Sequence, residues 1–216
     1  MGHLNTGREM LCRIGVWILL YRIWSIYGAT LVSTGRIDSC LEFDGSNDYV
    51  SVLAINTNDI TFSAWVYRDS TNTVDTVFNG MKYNADNQLK EGFLLRFLAG
   101  NMLQLMLTSE NDAGTKAYQS SYFVLDNTYQ QEWIHVAFTY NKVTGEQKLY
   151  VTGELKDTDA HPVGNTISPL VSYSEMQIGS ERTGNFFHGK IDDVKVYDTA
   201  LTEEDIAEMY VKDCRF

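Results

Sequence analysis

Ile60-Thr61-Phe62-Ser63-Ala64-Trp65-Val66-Tyr67 and Trp133-Ile134-His135-Val136-Ala137-Phe138-Thr139-Tyr140 alternate apolar with mixed side chains. A period of two is the mark of a strand, whose successive side chains point to opposite faces. Each stretch therefore predicts a strand with one face in the core. Outward from them the same rhythm recurs. Phe93–Leu98 and Met102–Leu107 flank Ala99-Gly100-Asn101, a three-residue connection with glycine that predicts a hairpin. Leu41-Glu42-Phe43 runs through the turn Asp44-Gly45-Ser46-Asn47-Asp48 into Tyr49-Val50-Ser51-Val52, and Lys148–Val151, Gln177–Gly179 and Lys190–Tyr197 are later strands. One helix is signalled, late in the chain. Thr202 is its N-cap, Glu203, Glu204 and Asp205 suit the positive end of the dipole, and Leu201 and Ile206 occupy staple positions.

Composition agrees. The 216 residues include 13 Tyr, 10 Phe and 16 Gly but only 2 Pro, which favours strands joined by tight turns. A hydrophobic fraction of 44% supports a packed core and excludes disorder for most of the chain. The formal charge of −11 argues against nucleic acid, whose phosphates require a basic face. The fold class expected is all-β, a two-sheet antiparallel jelly-roll sandwich with a short C-terminal helix.

Residues 1–30 form an apolar N-terminal segment, ahead of one domain over 31–216. The uninterrupted apolar run Ile14–Tyr21 has eight residues, against about 20 for a spanning helix; an integral membrane helix is not expected. Three readings stay open: a first core strand, a signal or anchor segment, or a docking arm anchored by Trp17, Trp24 and Tyr27. Of the three cysteines, Cys12, Cys40 and Cys214, the last two sit near the domain's ends. Domain termini often lie close together, so a Cys40–Cys214 disulfide and three unpaired thiols stand as alternatives.

Five blocks in order resemble the laminin-G-like domains of the concanavalin A-like lectin/glucanase superfamily: Leu41–Val50, Phe62-Ser63-Ala64-Trp65-Val66, Trp133–Tyr140, Leu149–Leu155, and Phe187–Tyr197 with the helix beyond it. The resemblance implies two curved antiparallel sheets, often one structural calcium, and a binding or adhesion role on secreted, surface or virion proteins. Calcium takes 6–8 oxygens from carboxylates, amides and carbonyls. Asp44 and Asn47 occupy a glycine turn, and Asp192 is expected on the core-facing side with Val194 and Val196. A calcium at Asp44, Asn47 and Asp192 would partner that carboxylate. The alternative is an Asx turn at Asp44 and backbone N–H donors for Asp192.

Catalysis is disfavoured. Retaining glycoside hydrolysis needs paired carboxylates about 5–5.5 Å apart, and no strand carries a Glu-x-Asp-x-Glu block. His135 reads as a packed residue, and His188 has no nucleophile beside it. The function expected is a non-catalytic recognition or adhesion module for glycan or protein, extracellular or on a particle surface. A structural subunit of a virion or surface appendage is the alternative, and a glycoside hydrolase the least favoured reading. Glycan contacts are expected from aromatics on polar loops over 70–92 and 108–130 and near 186: Tyr83, Tyr118, Tyr122 and Phe186, with Tyr129, Tyr173 and Phe187 as further candidates; the alternative for each is packing in an apolar seam under a long loop.

Overall fold

The computed structural model describes residues 16–17, 24–83, 89–126, 129, 131–169, 175–182 and 184–214. They form two sheets and a helix. The first sheet runs β13 (Glu154–Ala160), β12 (Glu146–Val151), β11 (Trp133–Tyr140), β6 (Ile60–Arg68), β16 (His188–Tyr197), β4 (Cys40–Asp44), β3 (Thr30–Val32), with β1 (Val16–Trp17) parallel to β16. The second runs β10 (Lys116–Val124), β9 (Met102–Glu110), β8 (Leu89–Leu98), β7 (Asp75–Tyr83), β15 (Glu175–Ile178), β5 (Tyr49–Leu53), β2 (Trp24–Tyr27), with the short β14 (Thr166–Ile167) beside β9. Apart from β1, every pairing is antiparallel. This is the expected two-sheet sandwich.

The core lies between the sheets. Ile60, Phe62, Ala64 and Val66 of β6 meet Phe78 of β7 and Phe93, Leu95 and Phe97 of β8. Phe62 stacks on Phe78 at 5.0 Å and on Phe138 at 5.6 Å, so the aromatics of both sheets interdigitate. Arg68 continues the inward series of β6 and is 2% exposed. Its Nε donates to Asp75 Oδ2 at 2.8 Å, Nη1 to Asn101 Oδ1 at 2.9 Å and Nη2 to the Thr73 carbonyl at 3.2 Å, while Phe97 lies 4.4 Å below the guanidinium. Asn101 is the left-handed third residue of the expected β8–β9 hairpin. The turn thus also holds a buried charge.

The expectation of one buried face fails for β6 and β11, which are buried on both. Helix α1 (Glu203–Asp213) covers the outer face of the first sheet. Thr202 caps it in a reciprocal capping box with Asp205. Ile206 packs on Ala137 and Tyr150, Tyr210 stacks on Trp65 at 5.6 Å, and Trp65 Nε1 donates to Asp213 at 3.2 Å.

Asp192 does not share a face with Val194 and Val196. The register of β16 shifts between Asp192 and Lys195, and Asp193 has φ 47°. The bulge inserts one residue and resets the alternation, so Ile191, Val194 and Val196 all face the core while Asp192 pairs across from Trp65 on the outer side. Cys40 and Cys214 are both free thiols, the first buried and the second exposed at the helix C-cap. Burial pushes the Cys40 thiol up to about 12, which makes it inert. Cys12 lies outside the described residues. Of the N-terminal segment, Val16–Trp17 lie parallel beside β16 at Val194 and Lys195, and Trp24–Tyr27 pair with β5, where Tyr27 stacks on Tyr49. The other residues up to 23 lie outside the description. Among the described residues no helix is long and apolar enough to cross a membrane.

Candidate functional site

The residues proposed for calcium do not converge. Asp44 stands opposite His188 across β4 and β16, and Asp192 lies four residues further along, about 13 Å away at strand spacing. Asp44 Oδ1 accepts from Ser46 N at 2.8 Å, and Asp44 N donates to Asp48 at 2.9 Å, an Asx turn closed on itself. Asp192 accepts from Ile37 N at 2.8 Å and Asp193 N at 2.7 Å. Burial raises its carboxyl to about 6 despite these donors. Its partner is the wrapped 35–38 loop, where a Cβ on Gly35 would come within 2.7 Å of Oδ2. Among the described residues no group of three His, Cys, Asp or Glu side chains could hold a metal. The three do not fit one calcium shell.

His135 is 1% exposed between Trp65 and Tyr210, with neither ring nitrogen hydrogen-bonded. Burial lowers its pKa from 6.5 to about 4. It is a packing residue held neutral. Below pH 6.5 the unfolded chain binds a proton here that the native state refuses until about pH 4, so stability falls across that window. The raised carboxyl of Asp192 works the other way, which makes the difference between two proteins the clean readout. Denaturant melts of wild type and His135→Gln at pH 7.0 and 4.5 should show wild type losing about 2 kcal/mol more than the variant. Equal losses would place the titration elsewhere.

The segments expected to be loops around Tyr118 and Tyr122 are strands. Both tyrosines sit on β10, on the same face as Ser120, 42% and 43% exposed. Directly across β9 from Tyr122 is Gln104, and across β8 from Gln104 is Arg96. Arg96 Nε, which can only donate, bonds Gln104 Oε1 at 2.9 Å and so fixes the amide. The Gln104 nitrogen then donates to Tyr122 Oη at 2.8 Å and Ser120 Oγ at 3.1 Å. Tyr122's oxygen is occupied as an acceptor, which leaves its own proton for another partner. Glu181 holds the far side of Arg96 at 2.7 Å. The outcome is a rigid polar row, Glu181–Arg96–Gln104–Tyr122, laid across three strands on the outer face of the second sheet.

Next to this row, Met81, Leu94 and Met106 form a small apolar floor on the same face. The free edge of β10 is closed from the first sheet. Asp157 accepts from Tyr122 N at 2.8 Å, Asp159 from Ser121 Oγ at 2.7 Å, and Gln119 donates to the Ala160 carbonyl at 2.9 Å. An edge sealed this way does not recruit a further strand; what β10 presents is its face.

The other proposed aromatics are dispersed. Phe187 is buried against Phe43, and Tyr129 packs on the core. Phe186 is half-buried in the segment beside β7, three strands, or about 14 Å, from β10. Tyr83 ends β7, with its side chain outside the described residues, as is Tyr173. Arg96, Gln104 and Ser120 were not singled out in the sequence. The one available signal was the Tyr118-x-Ser120-x-Tyr122 alternation, masked by its polar company.

Two facing antiparallel sheets closed by a late helix are the build of a jelly-roll sandwich domain. The chain belongs to the laminin G family of the concanavalin A-like lectin/glucanases superfamily, whose model matches residues 44–207. No curated protein matches the sequence. Among solved structures, the receptor binding domain of botulinum neurotoxin D is similar with TM-score 0.65 and 21% identity, over 88% of this chain and 48% of that one. The binding domain of botulinum neurotoxin serotype G matches with TM-score 0.64 and 13% identity, over 88% and 46%. The serotype D ligand binding domain in complex with N-acetylneuraminic acid matches with TM-score 0.63 and 21% identity, over 88% and 46%. The chain spans about half the length of these domains, and the likeness is one of fold.

Proposed function

We propose that this domain is a non-catalytic recognition module that binds glycan through the outer face of the second sheet, at a cell or particle surface. One observation carries the reading: two half-exposed tyrosines stand on one face of β10 with a fixed amide and hydroxyl between and beside them. Exposed ring faces stack on the C–H faces of sugars, and rigid hydrogen-bonding groups beside them choose among hydroxyls. Support comes from the lectin/glucanases superfamily to which the chain belongs and from the N-acetylneuraminic acid bound by a domain of similar fold. A secreted or surface location follows from the same reading.

Glycan-array binding followed by titration tests it. Tyr122→Ala should weaken the best-bound glycan about tenfold, the loss of one stacking and one hydrogen-bonding contact, with only a small loss in melting temperature, since the Gln104 amide keeps Ser120 as an acceptor. Full retention of affinity would remove β10 from the site. An assembly role has a separate surface in its favour: Ile26, Tyr27 and Leu31, 38%, 47% and 57% exposed on the edge strands β2 and β3. A defined oligomer in size-exclusion would favour it.

A further inference from the structure

We infer that His161 is a positioning residue for the binding face: its buried ring fixes where β10 holds Tyr122. The inference rests on the glycan reading above and extends it behind the strand. Among the described residues β10 is an edge strand, laddered to β9 on one side alone. Ser121, the neighbour of Tyr122, points the other way, into the sandwich, and is buried. From it a chain of hydrogen bonds runs inward. Ser121 Oγ accepts from Gln147 Nε2 at 2.7 Å, Gln147 Oε1 lies 3.1 Å from His161 Nε2, His161 Nδ1 lies 2.9 Å from Ser109 Oγ, and Asn165 Nδ2 donates to Ser109 Oγ at 3.2 Å. Gln147, His161, Ser109 and Asn165 are all buried.

A carboxylate sets the direction of every link. Asp159 only accepts, so Ser121 gives its one proton there, at 2.7 Å. Ser121 can then only accept from Gln147, which puts the amide nitrogen at Ser121 and the amide oxygen at His161. His161 Nε2 therefore carries a proton. Burial keeps the ring neutral, its pKa lowered from 6.5 to about 4, so Nδ1 is bare and accepts from Ser109. A neutral histidine supplies this donor and this acceptor on two sides of one rigid ring. The ring sits edge-on to Tyr140 at 5.2 Å, and Tyr140 Oη donates to the Asn165 carbonyl at 2.8 Å. A buried network with every member partnered rigidifies what it touches. This one joins β9, β12 and the 161–165 turn to the strand that carries both half-exposed tyrosines. Loss of one link leaves a buried donor or acceptor unpaired, and the Ser121 end is the one that gives, because an edge strand has a ladder on one side only.

The test reads affinity and local hydrogen exchange on the whole chain. His161→Phe keeps a ring and removes both hydrogen bonds. It should weaken the best-bound glycan about tenfold. It should also speed exchange of the Tyr122 amide, which donates to Asp157, about tenfold relative to that of Val136 on β11. Gln147→Met cuts the next link with a side chain of like length, should do the same, and carries the test where His161→Phe does not fold. Ile206→Ala, under α1 on the outer face of the first sheet, is the control. It lowers the melting temperature as a core truncation does, and should leave affinity and exchange ratio at wild-type values. Nitrogen-15 NMR of the wild type at neutral pH should find the His161 proton on Nε2. Wild-type affinity in the chain variants, an equal affinity loss in Ile206→Ala, or a proton on Nδ1 alone would each overturn the inference. A wild-type protein that binds no glycan would overturn the glycan reading and with it the role in binding, while a raised Tyr122 exchange ratio in His161→Phe would still show that the ring holds β10.

Discussion

Asp75→Ala should cost about 3–5 kcal/mol, the loss measured when one partner of a buried ion pair is removed. In a chain of this length that lowers the melting temperature by roughly 6–20 °C. The reason is what stays behind. The guanidinium of Arg68 is 1% exposed and cannot reach water when the carboxylate 2.6 Å from its Nη2 is gone. Burial already lowers the Arg68 pKa, and Asp75 is the group that opposes this. Asn101 and the Thr73 carbonyl remain as neutral acceptors, which moderates the loss without cancelling the charge. The double variant Arg68→Leu/Asp75→Leu should regain most of the stability, since apolar replacement of both partners removes the desolvation cost. Urea melts of the three proteins check this. A single-variant loss under about 1 kcal/mol would mean that the pair is hydrated in solution.

Gly92→Ala should cost about 2–5 kcal/mol. Gly92 has φ +74°, and a Cβ there would lie 1.7 Å from the Gly80 carbonyl oxygen on the paired strand β7. The left-handed conformation costs a non-glycine residue about 1–2 kcal/mol, and relieving a clash inside a packed sheet adds about 1–3 kcal/mol. Gly92 also departs from the regular strand at the residue next to Glu91, and its N–H bonds the Ser168 carbonyl at 2.9 Å. Displacing it moves Glu91 and its contact with Lys116. Gly100→Ala is the matched control: φ is +84° there and nothing lies within 4 Å of the added carbon, so only the conformational cost should appear. Equal losses in the two variants would show that the β7–β8 approach relaxes freely.

The binding face was far less legible than the sandwich. The jelly-roll followed from local signals that survive without neighbours: alternation in β6 and β11, glycine at the β8–β9 turn, and an N-cap at Thr202. Where the reading failed, a contact distant in sequence had intervened. Alternation placed Asp192 among the core valines, but the bulge at Asp193 reversed its face; a bulge leaves no mark in a pattern of single residues. Tyr118 and Tyr122 were assigned to a loop because β10 is an edge strand with one face wet and a polar sequence to match. The row Glu181–Arg96–Gln104–Tyr122 joins residues up to 85 positions apart, and its register exists only after three strands have paired. The disulfide failed for a similar reason: nearness of the termini does not decide whether a given thiol is buried, as Cys40 is, or exposed, as Cys214 is.

The order of side chains along this polypeptide therefore determined the two pleated layers, the late helix and the laminin G kinship, because each depends on periodicity and on turn chemistry within a few residues. Tertiary structure alone decided that Arg68 is held inside, and that two tyrosines and a locked amide share one surface. Those facts depend on strand order and register, which are set by how the whole core packs.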